Sequence, residues 1–238
     1  MRKHTLGALG LLVLGAASAT SFAAVPWTVP AGVAPGNTFS YSNGGSDFGL
    51  FGNPIVLTDG FRFFPSNFAA ESSNGVAETT YDRLFVTIDL PTGTSTNYLT
   101  GMSVSDVGTY SILGTGSVMA SGLETVTVLS NDGTMGAPAI GTTLFDALTT
   151  NPAFPVSTNT SATGPWTGEA SIAIPAGVKS LQLVFKNTLQ ATSGPNGTSF
   201  IQKENVGIEI DFDIVPEPTT LAAVMGGASL LLVRRRKI

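Results

Sequence analysis

Glu209, Asp211 and Asp213 alternate with Ile208, Ile210, Phe212 and Ile214. A period of two places the three carboxylates on one face of an extended strand and the apolar side chains on the other. Hard oxygen donors so grouped suit Ca²⁺. The other reading is a solvated face whose acids keep the strand from pairing with a stranger, since no Asp-x-Asp-x-Asn-Gly loop accompanies them. Glu71, Glu78, Glu124 and Glu169 are the further carboxylates from which an acid/base pair for glycoside hydrolysis could be drawn. Trp27, Trp166, Tyr41, Tyr98 and Tyr110 are candidate rings for stacking on a sugar, or else core packing. Trp166 is the best placed of them, at the end of an irregular stretch over 151–166. Phe61, Phe63 and Phe64 are expected to pack.

What is missing narrows the chemistry further. The chain has no cysteine, and its one histidine, His4, lies in an N-terminal leader. Disulfides, thiol nucleophiles, His-assisted serines and nitrogen or sulfur ligands for zinc are therefore excluded from the body. No Ser-x-x-Lys spacing occurs, and Gly114-Thr115-Gly116 lacks the third glycine and the helix of a nucleotide loop. These residues point away from catalysis.

The elements that must position these groups lie between two sorting segments. Arg2 and Lys3 precede an apolar run over 6–17, followed by small residues ending at Ala19 and Ala23. This is the pattern of a secretory signal peptide over 1–23. At the other end Pro216-Glu217-Pro218 precedes an apolar run over 221–233 and the basic tip Arg234, Arg235, Arg236 and Lys237. The prolines stop the preceding fold. A helix over the apolar run falls short of a hydrocarbon core of roughly 30 Å, so it is expected to touch the membrane transiently. The cations at both ends favour the cytoplasmic side and leave residues 24–214 across the membrane.

With these three parts in order, residues 215–237 resemble the PEP-CTERM sorting signal, some of whose members are catalogued as ice-binding protein C-terminal domains. The resemblance implies secretion, recognition of Pro216-Glu217-Pro218 by a membrane-embedded exosortase, removal of the tail, and a destination at the cell surface or in an extracellular polysaccharide matrix. It covers the tail alone.

Between the sorting segments the body carries 15 acids against 5 bases (Arg62, Arg83, Lys179, Lys186 and Lys203), a net charge of −10. Such a surface repels nucleic acid. About 190 residues suffice for one core. Apolar residues alternate over 84–90, 124–128, 167–174 and 180–186, with shorter runs at 38–41, 55–58, 61–64, 109–113, 117–119, 200–201 and 207–214. That pattern, with turn residues between runs, predicts an all-β, two-sheet antiparallel sandwich or jelly roll. Pro175-Ala176-Gly177 is expected to turn a hairpin joining 167–174 to 180–186, and residues 142–148 to make one helical turn. The expected role is structural or adhesive, with polysaccharide as partner and calcium as a bridging ion. The alternatives are a carboxylate-dependent hydrolase of that polymer and an ice-binding surface. For the latter, the Thr-rich stretches lack a regular repeat.

Overall fold

The computed structural model describes residues 23–91, 97–133 and 136–216. It is all-β and antiparallel, a sheet that curls around one core, with no α-helix among the described residues. The N-terminal part contributes short strands: β1 (Val25–Pro26), β2 (Gly32–Val33), β3 (Ser40–Ser46), β4 (Ile55–Val56), β5 (Gly60–Phe63) and β6 (Ala69–Ser73). The long strands follow: β7 (Glu78–Asp89), β8 (Asn97–Leu113) and β9 (Gly116–Asn131). Then come β10 (Thr143–Ala147), β11 (Thr149–Asn151), β12 (Val156–Thr158), β13 (Ser161–Ser193) and β14 (Thr198–Pro216).

β13 is the spine. Its first half, Ser161 to Ala173, runs beside β8 and holds β11 on its other edge. Its second half, from Ser180, lies between β7 and β9. The expected hairpin is thus one continuous strand. Both halves do alternate as expected: Ala170, Ile172 and Ile174, then Leu181, Leu183 and Phe185, are all buried. Pro175-Ala176-Gly177 has turn chemistry, but here it makes a bulge between Ala173 and Val178, where the strand exchanges neighbours. Gly177 takes a positive φ of 90° at that bend, and its carbonyl accepts the Asp132 N–H at 2.9 Å.

The remaining edges are filled by short strands. β14 runs along β8 and carries β6 and then β5 on its far side. β9 carries β12 and β10, and β7 carries β3. The helical turn expected over 142–148 is the strand β10, because Leu144, Asp146 and Leu148 are more buried than their neighbours, a period of two. The irregular stretch over 151–166 is likewise drawn into strands: Asn151 ends β11 beside β13, 156–158 are β12 beside β9, and 161–166 begin β13 itself beside β8.

The inner faces share one core. Leu84, Val86 and Ile88 of β7, and Leu90 just after it, all point into it, as their alternation requires. Phe61 is its aromatic hub, with ring centroids 5.4 Å from Trp27, 5.5 Å from Phe39 and Tyr41 and 5.9 Å from Phe212. Each such tilted or edge-on pair adds about 0.5–1.5 kcal/mol to area burial. Phe64 departs from expectation, being 39% exposed. β14 ends at Pro216, paired with Asn97, so the last strand reaches the first proline of the tail. Residues 1–22 of the expected signal peptide over 1–23, and Glu217, Pro218, the apolar run and Arg234, Arg235 and Arg236, lie outside the described residues. No described helix is long and apolar enough to cross a membrane.

Candidate functional site

Strand parity decides which expected site residues reach the surface. Around Asp211 and Asp213 it works as anticipated: Ile210 and Phe212 are buried, Asp211 is half-buried and Asp213 exposed. Their cross-strand neighbours are Gly60 and Ser103 for Asp211, and Gly101 for Asp213. The backbone of Glu209 pairs with Arg62 and Ser105, and its side chain is outside the described set. Among the described residues no three acidic or imidazole side chains converge.

The aromatic candidates are mostly interior. Trp166 is 1% exposed, so it offers no face to a sugar. Its ring meets Phe154 edge-on at 5.9 Å, and its indole N–H donates to the Gln202 carbonyl at 3.3 Å. Room for it comes from Gly108, where any Cβ would stand 2.4 Å from Nε1 of Trp166. Trp27 and Tyr41 are core residues as well, and Tyr110 packs half-buried against Phe154. The side chain of Tyr98 is undescribed.

The rings that stand at the surface among the described residues are Phe145, 73% exposed, Phe64, 39% exposed, and the neighbouring pair Tyr81, 46% exposed, and Phe48, 38% exposed. Tyr81 and Phe48 meet edge-on at 5.2 Å. Tyr81 on β7 faces Thr188 on β13, which faces Ser121 on β9, so one ring and two hydroxyls share a row across the outer face. Lys186, two residues along β13, stands 6.0 Å from the Tyr81 ring centroid. A shallow depression of about 230 Å³ beside the row is lined by Ser121, Gly122, Leu123, Lys186 and Thr188. The adjoining Arg83 pairs with Asp47 at 3.0 Å. An exposed ring next to hydroxyls and a cation can stack on the apolar face of a sugar and hydrogen-bond its rim. The signal was available in the sequence: in Tyr81-Asp82-Arg83-Leu84, parity with the buried Leu84 turns Tyr81 and Arg83 outward.

A second, larger cleft of about 430 Å³ opens at one end of the sheet. Ser157, Ser117 and Thr192 form one cross-strand row in it, with Thr115, Thr158 and Asn159 nearby. Thr158 and Thr160 hold each other through hydroxyls 3.3 Å apart. Its lining contains no carboxylate and no ring, so it offers hydrogen bonds without acid/base groups.

The carboxylates proposed for hydrolysis are dispersed. Oε2 of Glu78 accepts the Glu71 backbone N–H at 3.2 Å, and Glu169 is exposed on β13 opposite Thr149. Glu124 differs. It faces Asp146 across β9 and β10, is 0% exposed, and neither of its oxygens has a hydrogen-bond partner. Burial first, and the Asp146 charge second, push its carboxyl up to about 8. A carboxyl raised in this way has the electrostatics of a general acid, but a substrate cannot reach it.

Two further inward polar centres carry no motif. Asp82 accepts from the Ser46 hydroxyl at 2.8 Å and from the backbone N–H groups of Phe48, Leu50 and Arg83 at 2.7–2.9 Å. It fixes the loop that presents Phe48. The other centre joins Asp106, Asn187 and Lys203, all buried. One oxygen, Oδ2 of Asp106, accepts from both Nζ of Lys203 and Nδ2 of Asn187.

No family model matches the chain, and no curated protein matches it. Among solved structures it overlaps the enzymatically active domain of tailspike protein 4 from bacteriophage CBA120, at 13% identity and a TM-score of 0.20. That overlap covers 74% of this chain and 18% of the tailspike chain. It also overlaps a carbohydrate-binding module solved with β-1,4-galactotriose, at 12% identity, a TM-score of 0.19 and 80% and 91% coverage of this chain and that one. A structure of infectious bursal disease virus follows at 12% identity and a TM-score of 0.15, covering 77% and 50%. Likeness this slight carries no argument.

Proposed function

We propose that this chain is an exported, non-catalytic surface or matrix protein whose β-sandwich body binds extracellular polysaccharide through the outer-face row Tyr81, Thr188 and Ser121. That row carries the reading, because an exposed ring flanked by hydroxyls is the minimum a sugar surface needs. The curled sheet is read as a jelly-roll scaffold holding the row flat. In this reading the signal peptide exports the body, and an exosortase then recognises Pro216-Glu217-Pro218 and removes the tail at the membrane. A carboxylate-dependent hydrolase is the competing reading, and the Glu124–Asp146 pair does not favour it, because Glu124 is fully buried.

Retention of the purified body on polysaccharide secreted by the producing cells tests the proposal. Retention without release of reducing ends is expected. Release of reducing ends would favour the hydrolase, and failure to be retained would remove the binding role. Adding chelator tests calcium ligation by Glu209, Asp211 and Asp213: reduced retention supports a bridging ion, and unchanged retention removes it. Replacing Pro216 and Pro218 by Ala should leave the protein membrane-bound if the tail is an exosortase signal.

A further inference from the structure

The cluster of Asp106 on β8, Asn187 on the second half of β13 and Lys203 on β14 has no part in binding at the outer face. All three side chains are buried. Lys203 Nζ lies between two rings, 5.1 Å from the Phe68 centroid and 5.3 Å from that of Trp166. Oδ2 of Asp106 accepts hydrogen bonds from Lys203 Nζ and, at 2.6 Å, from Asn187 Nδ2. Oδ1 of Asp106 and Oδ1 of Asn187 have no hydrogen-bond partner.

As a stabilising ion pair this arrangement is poor. Removing both charges from water offsets most of their attraction, and two buried acceptors without donors add to the cost. As a reaction centre it is complete: an amine, a carboxamide and a carboxyl that touches both, enclosed by aromatic rings.

We propose that Lys203 and Asn187 become joined by an intramolecular amide bond between Nζ and Cγ, with Asp106 carrying the proton between them. The lone pair of a neutral Nζ attacks Cγ of Asn187, and the carbonyl electrons move onto its Oδ1. Asp106 accepts a proton from Nζ and delivers one to Nδ2. The carbonyl reforms, the Cγ–Nδ2 bond breaks and ammonia leaves. Amine plus carboxamide gives secondary amide plus ammonia, so the step needs no oxidant and no further reactant. The surroundings suit the neutral forms it requires. Burial is the dominant influence on both groups, pushing Lys203 down and Asp106 up against their mutual attraction. A proton resting on Asp106 also turns one acceptor of this dry site into a donor. The three groups are held by separate strands, which supplies proximity without a cofactor. The product would tie β14 to the second half of β13 across the core, a covalent brace in a chain that has no cysteine.

Peptide mapping of the full chain, unfolded and digested with trypsin, tests this. Without the bond, cleavage after Lys186 and Lys203 releases residues 187–203 at full mass. With it, Lys203 is acylated and uncut, and the segment beginning at Asn187 continues past Lys203 and is lighter by one ammonia. That lighter, uncut segment is the expected result. Release of 187–203 at full mass would overturn the proposal. A bond from Lys203 to the peptide carrying Asp106, lighter by one water, would overturn Asn187 as the acceptor. Asp106→Asn keeps the shape of the site and should leave Lys203 free, with an unchanged circular dichroism spectrum. A bond still formed in that variant would overturn the role of Asp106.

Discussion

Lys186, Asn187 and Thr188 are consecutive on β13, yet they belong to two chemically opposite regions. Lys186 and Thr188 point out beside Tyr81 and Ser121, whereas Asn187 points in to Asp106 and Lys203. Outside, polar groups remain hydrated and their placement costs little. Inside, every polar atom must be matched by a partner or be left at a cost of about 1–3 kcal/mol. The outer face can therefore change its ligand chemistry without touching the fold, while an inward polar residue persists only through complete satisfaction or a task. Asp82 illustrates satisfaction, with four donors on its two oxygens. Asp106, with one shared oxygen and one unmatched, illustrates a task.

The contrast is broken most severely at Asp82. Asp82→Ala strands the Ser46 hydroxyl and three backbone N–H groups, and a loss of about 3–5 kcal/mol is expected in urea unfolding. A loss below about 1 kcal/mol would mean that the loop over 46–50 is held by other contacts.

Glu124 comes next, and its effect depends on pH. Its carboxyl titrates near 8 in the fold against 4.5 ordinarily. Below the ordinary value both states hold the proton and nothing is lost. As pH rises toward 8 the unfolded chain ionises while the native one does not, so stability falls across that window and levels off above it. Glu124→Gln should therefore be more stable than the parent at pH 8, by about 2–4 kcal/mol, and equal to it near pH 4. Denaturant midpoints at the two pH values check this, and equal gains at both would refute it.

The smallest stability effects belong to the outer face. Thr188→Ala and Lys186→Ala should each shift stability by about 0.5 kcal/mol or less. Both should nevertheless weaken retention on polysaccharide. Thermal unfolding run beside the retention assay separates the two effects, and a large drop in melting temperature would place these residues in the fold instead.

Parity was the legible part of this chain. The alternation over 84–90, 181–185 and 210–213 gave strands and their buried faces correctly, because one buried side imposes period two whatever the partner strand is. Pairing was not legible. Pro175-Ala176-Gly177 has the composition of a turn, and only the neighbours β8, β7 and β9 make it a bulge in one strand. The burial of Trp166 depends on Gly108 clearing space beneath it, a contact between distant positions that no local pattern records. The Asp106 cluster joins residues 81 and 97 positions apart, so spacing gave no motif. Parity with Val104, Phe185 and Ile201 did place each of its members inward, and a lysine on an inward face was the signal to follow. Asp211 and Asp213 of β14 lie on the less buried face as expected, while the partner groups a calcium ion would need depend on strands far away in the sequence.

The most direct test of the binding role is a comparison of Tyr81→Ala with the parent on the same immobilised polysaccharide, at matched temperature and with melting temperatures recorded. Loss of retention with an unchanged melting temperature is predicted, because Tyr81 projects from the outer face and the core lies beneath it. Full retention by Tyr81→Ala would contradict the assignment of the outer-face row as the sugar surface.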